Sequence, residues 1–150
     1  LHFIYFLHSK SVFKFKLMKT TNYTFRVKYY ETDKMQYVHH SNYAKYFETA
    51  RIEWLRVCGI SYKTMEDEGV MLPVVNLNTN FKKPAKYDDL LTVKTAIKQV
   101  PDVKIIFTYE VRNQHSELLT TGESTLVFVD IARNKPIRCP KPILNCILAS

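Results

Sequence analysis

Only one stretch of this chain repeats its apolar residues at helical spacing over several turns, and that limits the folds open to the whole. Tyr43, Tyr46, Phe47, Ala50, Trp54, Leu55 and Cys58 recur every three or four residues. That spacing paints one broad apolar stripe on a helix of about four turns. Ser41 or Asn42 stands where a cap is wanted, and Gly59 where the helix must stop. So wide a stripe predicts a helix lying lengthwise against a sheet. Residues 61–68 predict a second, short helix closed by Gly69.

The rest of the pattern is β. Tyr23, Phe25, Val27 and Tyr29 alternate with Thr24, Arg26, Lys28 and Tyr30, a half-buried strand with one wet face that ends near Tyr30. Residues 70–81, 90–99, 103–113 and 118–130 are rich in β-branched and aromatic side chains. Alternation is cleanest at Val103, Ile105, Phe107, Tyr109 and Val111. Residues 84–89, 100–102 and 113–117 carry turn chemistry, and the short gaps between the later strands favour antiparallel neighbours. One strand, one long helix and four long strands are satisfied by a sheet that wraps around a single helix, an α+β layout. Its outer face and edges need cover, so self-association is expected. Residues 131–150, with Pro136, Pro140 and Pro142, read as an irregular tail.

A chain of 150 residues fits one domain. Cys58, Cys139 and Cys146 show no CxxC spacing, which predicts no disulfide framework and makes a reduced, cytoplasmic compartment the default. Residues 1–17 lack an initiating Met, mix aromatics with Lys10, Lys14 and Lys16, and precede Met18. They read as a non-native or disordered extension, with residues 18–140 as the domain and 141–150 as its tail. Their apolar run is too short and interrupted for a membrane anchor, so no membrane insertion is expected. Removing the three lysines of that extension takes the formal charge from +8 to +5, a moderately basic domain that suits an anionic partner. No RNP-like, helix-turn-helix or zinc-finger pattern supports nucleic acid as that partner.

Between the first strand and the long helix lies Asp33 in an acidic loop, followed by His39, His40, Ser41 and Asn42 at the helix start. A carboxylate facing a positively polarised helix end is an arrangement for activating a carbonyl. The residues here are recognisable. Tyr30-Glu31-Thr32-Asp33, His40-Ser41-Asn42-Tyr43 and Tyr46-Phe47-Glu48-Thr49-Ala50-Arg51 resemble the signature of the hotdog-fold acyl-CoA thioesterases of the 4-hydroxybenzoyl-CoA thioesterase-like type. Residues 81–89, Phe-Lys-Lys-Pro-Ala-Lys-Tyr-Asp-Asp, resemble that family's basic–Pro–Ala–basic–Tyr–Gly–Asp turn. Thr121-Gly122-Glu123 and Val127-Phe128-Val129-Asp130 resemble its closing strand.

The resemblance implies a hotdog fold, a curved antiparallel sheet around one central helix, as a homodimer or a dimer-of-dimers homotetramer with active sites at the dimer interface. It implies hydrolysis of an acyl-CoA to a free acid and coenzyme A, with no cofactor, the coenzyme being part of the substrate. An acyl-carrier-protein thioesterase and a non-catalytic acyl-CoA-binding module share the same signature. Asp33 occupies the place of the catalytic loop carboxylate, as general base on water or as nucleophile. His40 matches the helix-start position whose backbone N–H polarises the thioester carbonyl. Two departures stand out: Asp88 replaces the family's turn Gly, and Lys34-Met35-Gln36 follows Asp33 where small residues are common.

Each of these residues also has a plainer reading. An Asp in a loop often does no more than cap a turn. His40 assists the site through a hydrogen bond or by orienting water, while His39 reads as a surface residue; adjacent histidines lack metal-ligand spacing, so no metal is expected. Ser41 and Asn42 are caps that can also reach substrate, and Tyr43 lines the acyl pocket or the core. A separate hotdog type places its carboxylate on the long helix, but Glu48 and Glu53 lie off the stripe, and Glu48–Arg51 fits an ordinary i, i+3 ion pair. Lys82, Lys83 and Lys86, and further along Arg133, Lys135 and Arg138, are candidates for the coenzyme phosphates or simply a solvated basic surface.

Overall fold

The fold is seen in a computed structural model that describes residues 19–149; the extension assigned to residues 1–17 lies outside them. In chain order the elements are β1 (Thr20–Arg26), α1 (Ser41–Val57), α2 (Tyr62–Asp67), β2 (Val70–Met71), β3 (Val74–Phe81), β4 (Leu90–Ile97), β5 (Lys104–Arg112), β6 (Leu118–Val127), β7 (Val129–Asp130), β8 (Lys135–Pro136) and α3 (Lys141–Ala149). The main sheet is antiparallel with order β1-β4-β5-β6-β3, and β2, β7 and β8 form a small second sheet. One long helix on one face of an antiparallel sheet is the hotdog layout that the resemblance implies.

The helical stripe is buried as its spacing predicts. Phe47, Ala50 and Trp54 are fully enclosed. Phe47 stacks on Tyr109 of β5 with ring centroids 4.4 Å apart, and Trp54 meets Phe107 edge-on at 5.5 Å. Burying each such ring contributes about 2–3 kcal/mol. The polar ends of the rings are satisfied: Trp54 Nε1 donates to the Lys19 carbonyl at 3.0 Å, and the Tyr109 and Ser124 hydroxyls bond at 2.6 Å. Gly59 and Gly69 both take positive φ where α1 and α2 stop.

Gly122 explains one motif of the closing strand. A Cβ there would lie 2.5 Å and 2.6 Å from Phe47 Cε2 and Cζ, inside the core between α1 and β6. Gly122→Ala is therefore expected to destabilise the fold by roughly 1–3 kcal/mol through overpacking, read as a lowered urea midpoint at unchanged slope. An unchanged midpoint would mean that Phe47 has room to move aside.

Four expectations are corrected. The first strand ends at Arg26, and Tyr29–Glu31 form a 3₁₀ turn instead. The Lys28 N–H donates to Glu31 Oε2 at 2.7 Å while the Glu31 N–H donates to the Lys28 carbonyl at 3.0 Å, so the chain turns and leaves Tyr29 and Tyr30 exposed. Pro73 splits residues 70–81 into β2 and β3, which join different sheets. The supposedly irregular tail contains β8 and α3. Pro142 sits in the first turn of α3, where a missing N–H costs nothing, and Ile143 and Ile147 bury one face. Finally, Cys58 and Cys146 form a disulfide with Cα atoms 5.6 Å apart, joining the end of α1 to α3. The cysteine count therefore no longer argues for a reduced compartment. Cys139 stays a free, buried thiol, and burial pushes its pKa up to about 11.

Asp88, standing where the resemblance has Gly, adopts φ +68°. That is left-handed geometry, which Asp tolerates better than most side chains. Among the described residues no helix is long and apolar enough to cross a membrane.

Candidate active site

The chain between β1 and α1 folds into a tight hairpin. Thr32 pairs with Val38, the Asp33 N–H donates to the Tyr37 carbonyl at 2.9 Å, and Gln36 takes φ +66° at the tip. Three contacts tie this hairpin down. The Val38 N–H donates to the Ala85 carbonyl at 2.8 Å, Tyr37 bridges to Lys86, and the His39 N–H donates to the Glu31 carbonyl at 2.9 Å. The turn at residues 84–89 is thus the platform on which the acidic loop rests.

Asn42 adds a fourth tie. It is buried, and its Nδ2 donates to the same Glu31 carbonyl at 2.8 Å. The reading of Asn42 as a helix cap is corrected: its side chain is a strut between α1 and the loop. Asn42→Ala is expected to cost about 1 kcal/mol of stability in a denaturant titration, since Glu31 keeps one of its two donors. An undiminished stability would show that the strut carries no load.

The start of α1 is not capped by Ser41 or Asn42. His40 precedes the first helical residue and gives no side-chain cap. Instead the Ser41 N–H donates to His39 Nδ1 at 3.3 Å, and the Ser41 hydroxyl contacts the same nitrogen at 2.8 Å. An N–H can only donate, so Nδ1 is the acceptor and the His39 ring proton sits on Nε2. His39 is exposed, as a surface residue should be, yet it holds the helix start. The next two amides turn back on the chain, Asn42 N–H to the His39 carbonyl at 3.0 Å and Tyr43 N–H to the His40 carbonyl at 3.3 Å. The His40 N–H has no acceptor among the described residues.

Asp33 divides its carboxylate. Oδ1 accepts the Met35 N–H at 2.8 Å and the Tyr37 N–H at 3.3 Å, which is the turn-capping role of a loop Asp. Oδ2 has no partner among the described residues. Asp33, His40, Tyr43, Phe81, Lys82 and Lys83 line one cleft of about 350 Å³. A half-buried Asp33 and the His40 helix start, with its unpartnered N–H, therefore line the same cleft. That arrangement can deprotonate or attack on one side and receive a developing oxyanion on the other.

The other candidates are placed differently. Lys83 reaches Glu117 at 2.9 Å while lining the cleft, and Lys86 is exposed outside its lining, with its amide held by Asp89 Oδ2 at 2.8 Å. Arg133 and Arg138 pair with Asp130 and Asp102, Lys135 lies in β8, and none of the three lines the cleft. Ser41 does not line it either. Glu48 forms the expected pair with Arg51 at 3.4 Å and borders a separate pocket of about 130 Å³. Sequence reasoning missed Phe81 and Tyr37 as cleft residues. Phe81 ends an edge strand that looks like any other apolar strand residue, and only the tertiary turn brings it over Tyr43, at 5.1 Å between rings. Among the described residues no three His, Cys, Asp or Glu side chains group as a metal site.

Comparison with known proteins bears on this geometry. The family model of the thioesterase-like superfamily matches residues 27–147. The Bacillus subtilis protein YneP, provisionally assigned as an acyl-CoA thioesterase, is 36% identical over 115 residues, 77% of this chain and 83% of that one. The acyl-CoA thioester hydrolase YbgC of Escherichia coli O6:H1 is 33% identical over 119 residues, 79% of this chain and 89% of its own. Among solved structures, a DHNA-CoA thioesterase from Staphylococcus aureus superposes with a TM-score of 0.76 at 37% identity, covering 79% of this chain and 80% of that one.

Proposed function

Because the chain belongs to the thioesterase-like superfamily, whose relatives here are thioester hydrolases, we propose that it hydrolyses an acyl-CoA to a free carboxylic acid and coenzyme A. The observation that carries this reading is that one cleft is lined by both Asp33, whose Oδ2 has no partner among the described residues, and His40, whose N–H has none among them either. The thioester carbonyl docks with its oxygen toward the His40 N–H. Asp33 takes a proton from water or attacks the carbonyl carbon itself. Either route puts negative charge on the carbonyl oxygen, and each preorganised donor that receives it lowers the barrier by about 3–4 kcal/mol. The chemistry calls for no metal and no cofactor.

Lys82, Lys83 and Lys86, on the turn beside the cleft, receive the coenzyme phosphates in this reading. A second copy completes the assembly. β3 is an edge of the main sheet and exposes Val74, Val75, Leu77 and Phe81, an apolar edge that pairing with another β3 would cover, giving a homodimer that can double to a tetramer. Phe81 would then bring the cleft to the interface. The cytoplasm is the compartment this reading takes, and the Cys58–Cys146 bond makes the redox state of the purified protein worth recording.

Release of free thiol from a panel of short, long and aromatic acyl-CoAs tests the reading. Turnover on at least one member is expected. Silence on every member would overturn hydrolysis of acyl-CoA and leave a carrier-protein thioester, or binding without turnover, as the function of the cleft.

A further inference from the structure

A second and larger cleft, of about 600 Å³, opens between β1 and α1, and the proposed chemistry does not use it. Its walls mix the rings of Tyr23, Phe25 and Tyr46 and the side chain of Thr49 with charged groups such as Arg26 and Glu31. The two clefts stand on either side of one pair of rings. Tyr43 lines the catalytic cleft, Tyr46 lines the second, and the two meet edge-on with centroids 5.6 Å apart. Aromatic contacts run on in both directions, from Tyr43 to Phe81 at 5.1 Å and from Tyr46 to Phe25 at 4.4 Å and on to Tyr23 at 5.4 Å. A continuous run of aromatic rings therefore links the two clefts, with the Tyr43–Tyr46 pair between them.

Tyr46 is an unusual choice for a mere core residue. It is 95% buried, and its hydroxyl, close to the Glu31 carboxylate, makes no hydrogen bond of good geometry among the described residues. Phe would fill the same space without that cost.

Resting on the thioesterase reading, we propose that the Tyr43–Tyr46 pair closes the inner end of the acyl site, with Tyr46 as the specificity-determining residue. The native cleft takes short or compact aromatic acyl groups. Shortening Tyr46 joins the second cleft to it and admits a long straight chain.

The test is the ratio of kcat/KM on dodecanoyl-CoA to that on butanoyl-CoA, with calorimetric binding of dodecanoate as a readout that needs no turnover. Tyr46→Ala is expected to raise the ratio about tenfold or more and to gain dodecanoate binding, the scale on which apolar pockets discriminate chain length. Tyr46→Val should act in the same direction where Ala compromises folding. Adding Thr49→Phe to either variant refills the second cleft and should restore the native ratio. A wild type that already prefers dodecanoyl to butanoyl would overturn the proposal, as would folded variants with unchanged ratio and unchanged dodecanoate binding. Gained dodecanoate binding without hydrolysis by any form would overturn the catalytic reading and leave the partition standing.

Discussion

Asparagine in place of Asp33 is expected to lower kcat on an acyl-CoA by roughly a thousandfold, within the usual contribution of a positioned proton acceptor, while leaving the loop intact. The structure makes this substitution unusually clean. Asp33 Oδ1 accepts the Met35 and Tyr37 amides, and an Asn Oδ1 accepts them equally well. Only Oδ2, the oxygen with no protein partner, becomes an NH₂ group. Loss of activity with an unchanged unfolding midpoint therefore reports chemistry and not a collapsed turn. Asp33→Ala would mix the two effects, since it also frees both amides. Should Asp33→Asn retain activity within a few-fold, the reacting carboxylate lies elsewhere, and Glu48, already engaged with Arg51, becomes the group to replace next.

Reduction of the Cys58–Cys146 disulfide is the second large effect. The bond closes a loop of sequence separation 88, and constraining an unfolded chain over that length stabilises the folded one by about 4 kcal/mol. Tm should fall on the order of 10–15 °C with dithiothreitol or in Cys146→Ser. Activity at room temperature should hardly change, because the bond lies at the far end of α1. A helix of 17 residues puts it about 25 Å from the Asp33 loop. Thiol titration gives an independent count. Oxidised native protein should react slowly, since its one free cysteine, Cys139, is buried and protonated, and unfolding without reductant should expose one thiol per chain. Equal midpoints with and without reductant would show that the bond contributes nothing in solution.

What could be read from the amino acids was the part governed by local periodicity. The stripe from Tyr43 to Leu55 predicted the buried face of α1, and the alternation from Ile105 to Val111 predicted that of β5, because a residue's neighbours along the chain decide which way it points. The acidic loop was recognisable as a motif, and the helix start beside it followed. The rest depended on partners distant in sequence or on small energetic choices. No pattern announces that Cys58 and Cys146 approach each other across 88 residues. The prolines of the tail looked like breakers, yet Pro142 sits where a helix tolerates one. His39 took the helix-start role expected of Ser41 or Asn42, and Asn42 became a buried strut. Both types can bond a backbone group at a helix start, and only the position of the Glu31 carbonyl decides which one does what. The second cleft was invisible because its walls come from β1 and α1, whose packing aligns Phe25 with Tyr46.

The central claim is that Asp33 and the His40 N–H flank the reacting carbonyl. It is tested most directly by a crystal structure with a non-hydrolysable ketone analogue of an acyl-CoA bound. The account predicts the ketone oxygen at about 3 Å from the His40 nitrogen and the Asp33 carboxylate facing the carbonyl carbon. A ketone lodged beside Glu48, or one whose oxygen points away from the start of α1, would contradict it.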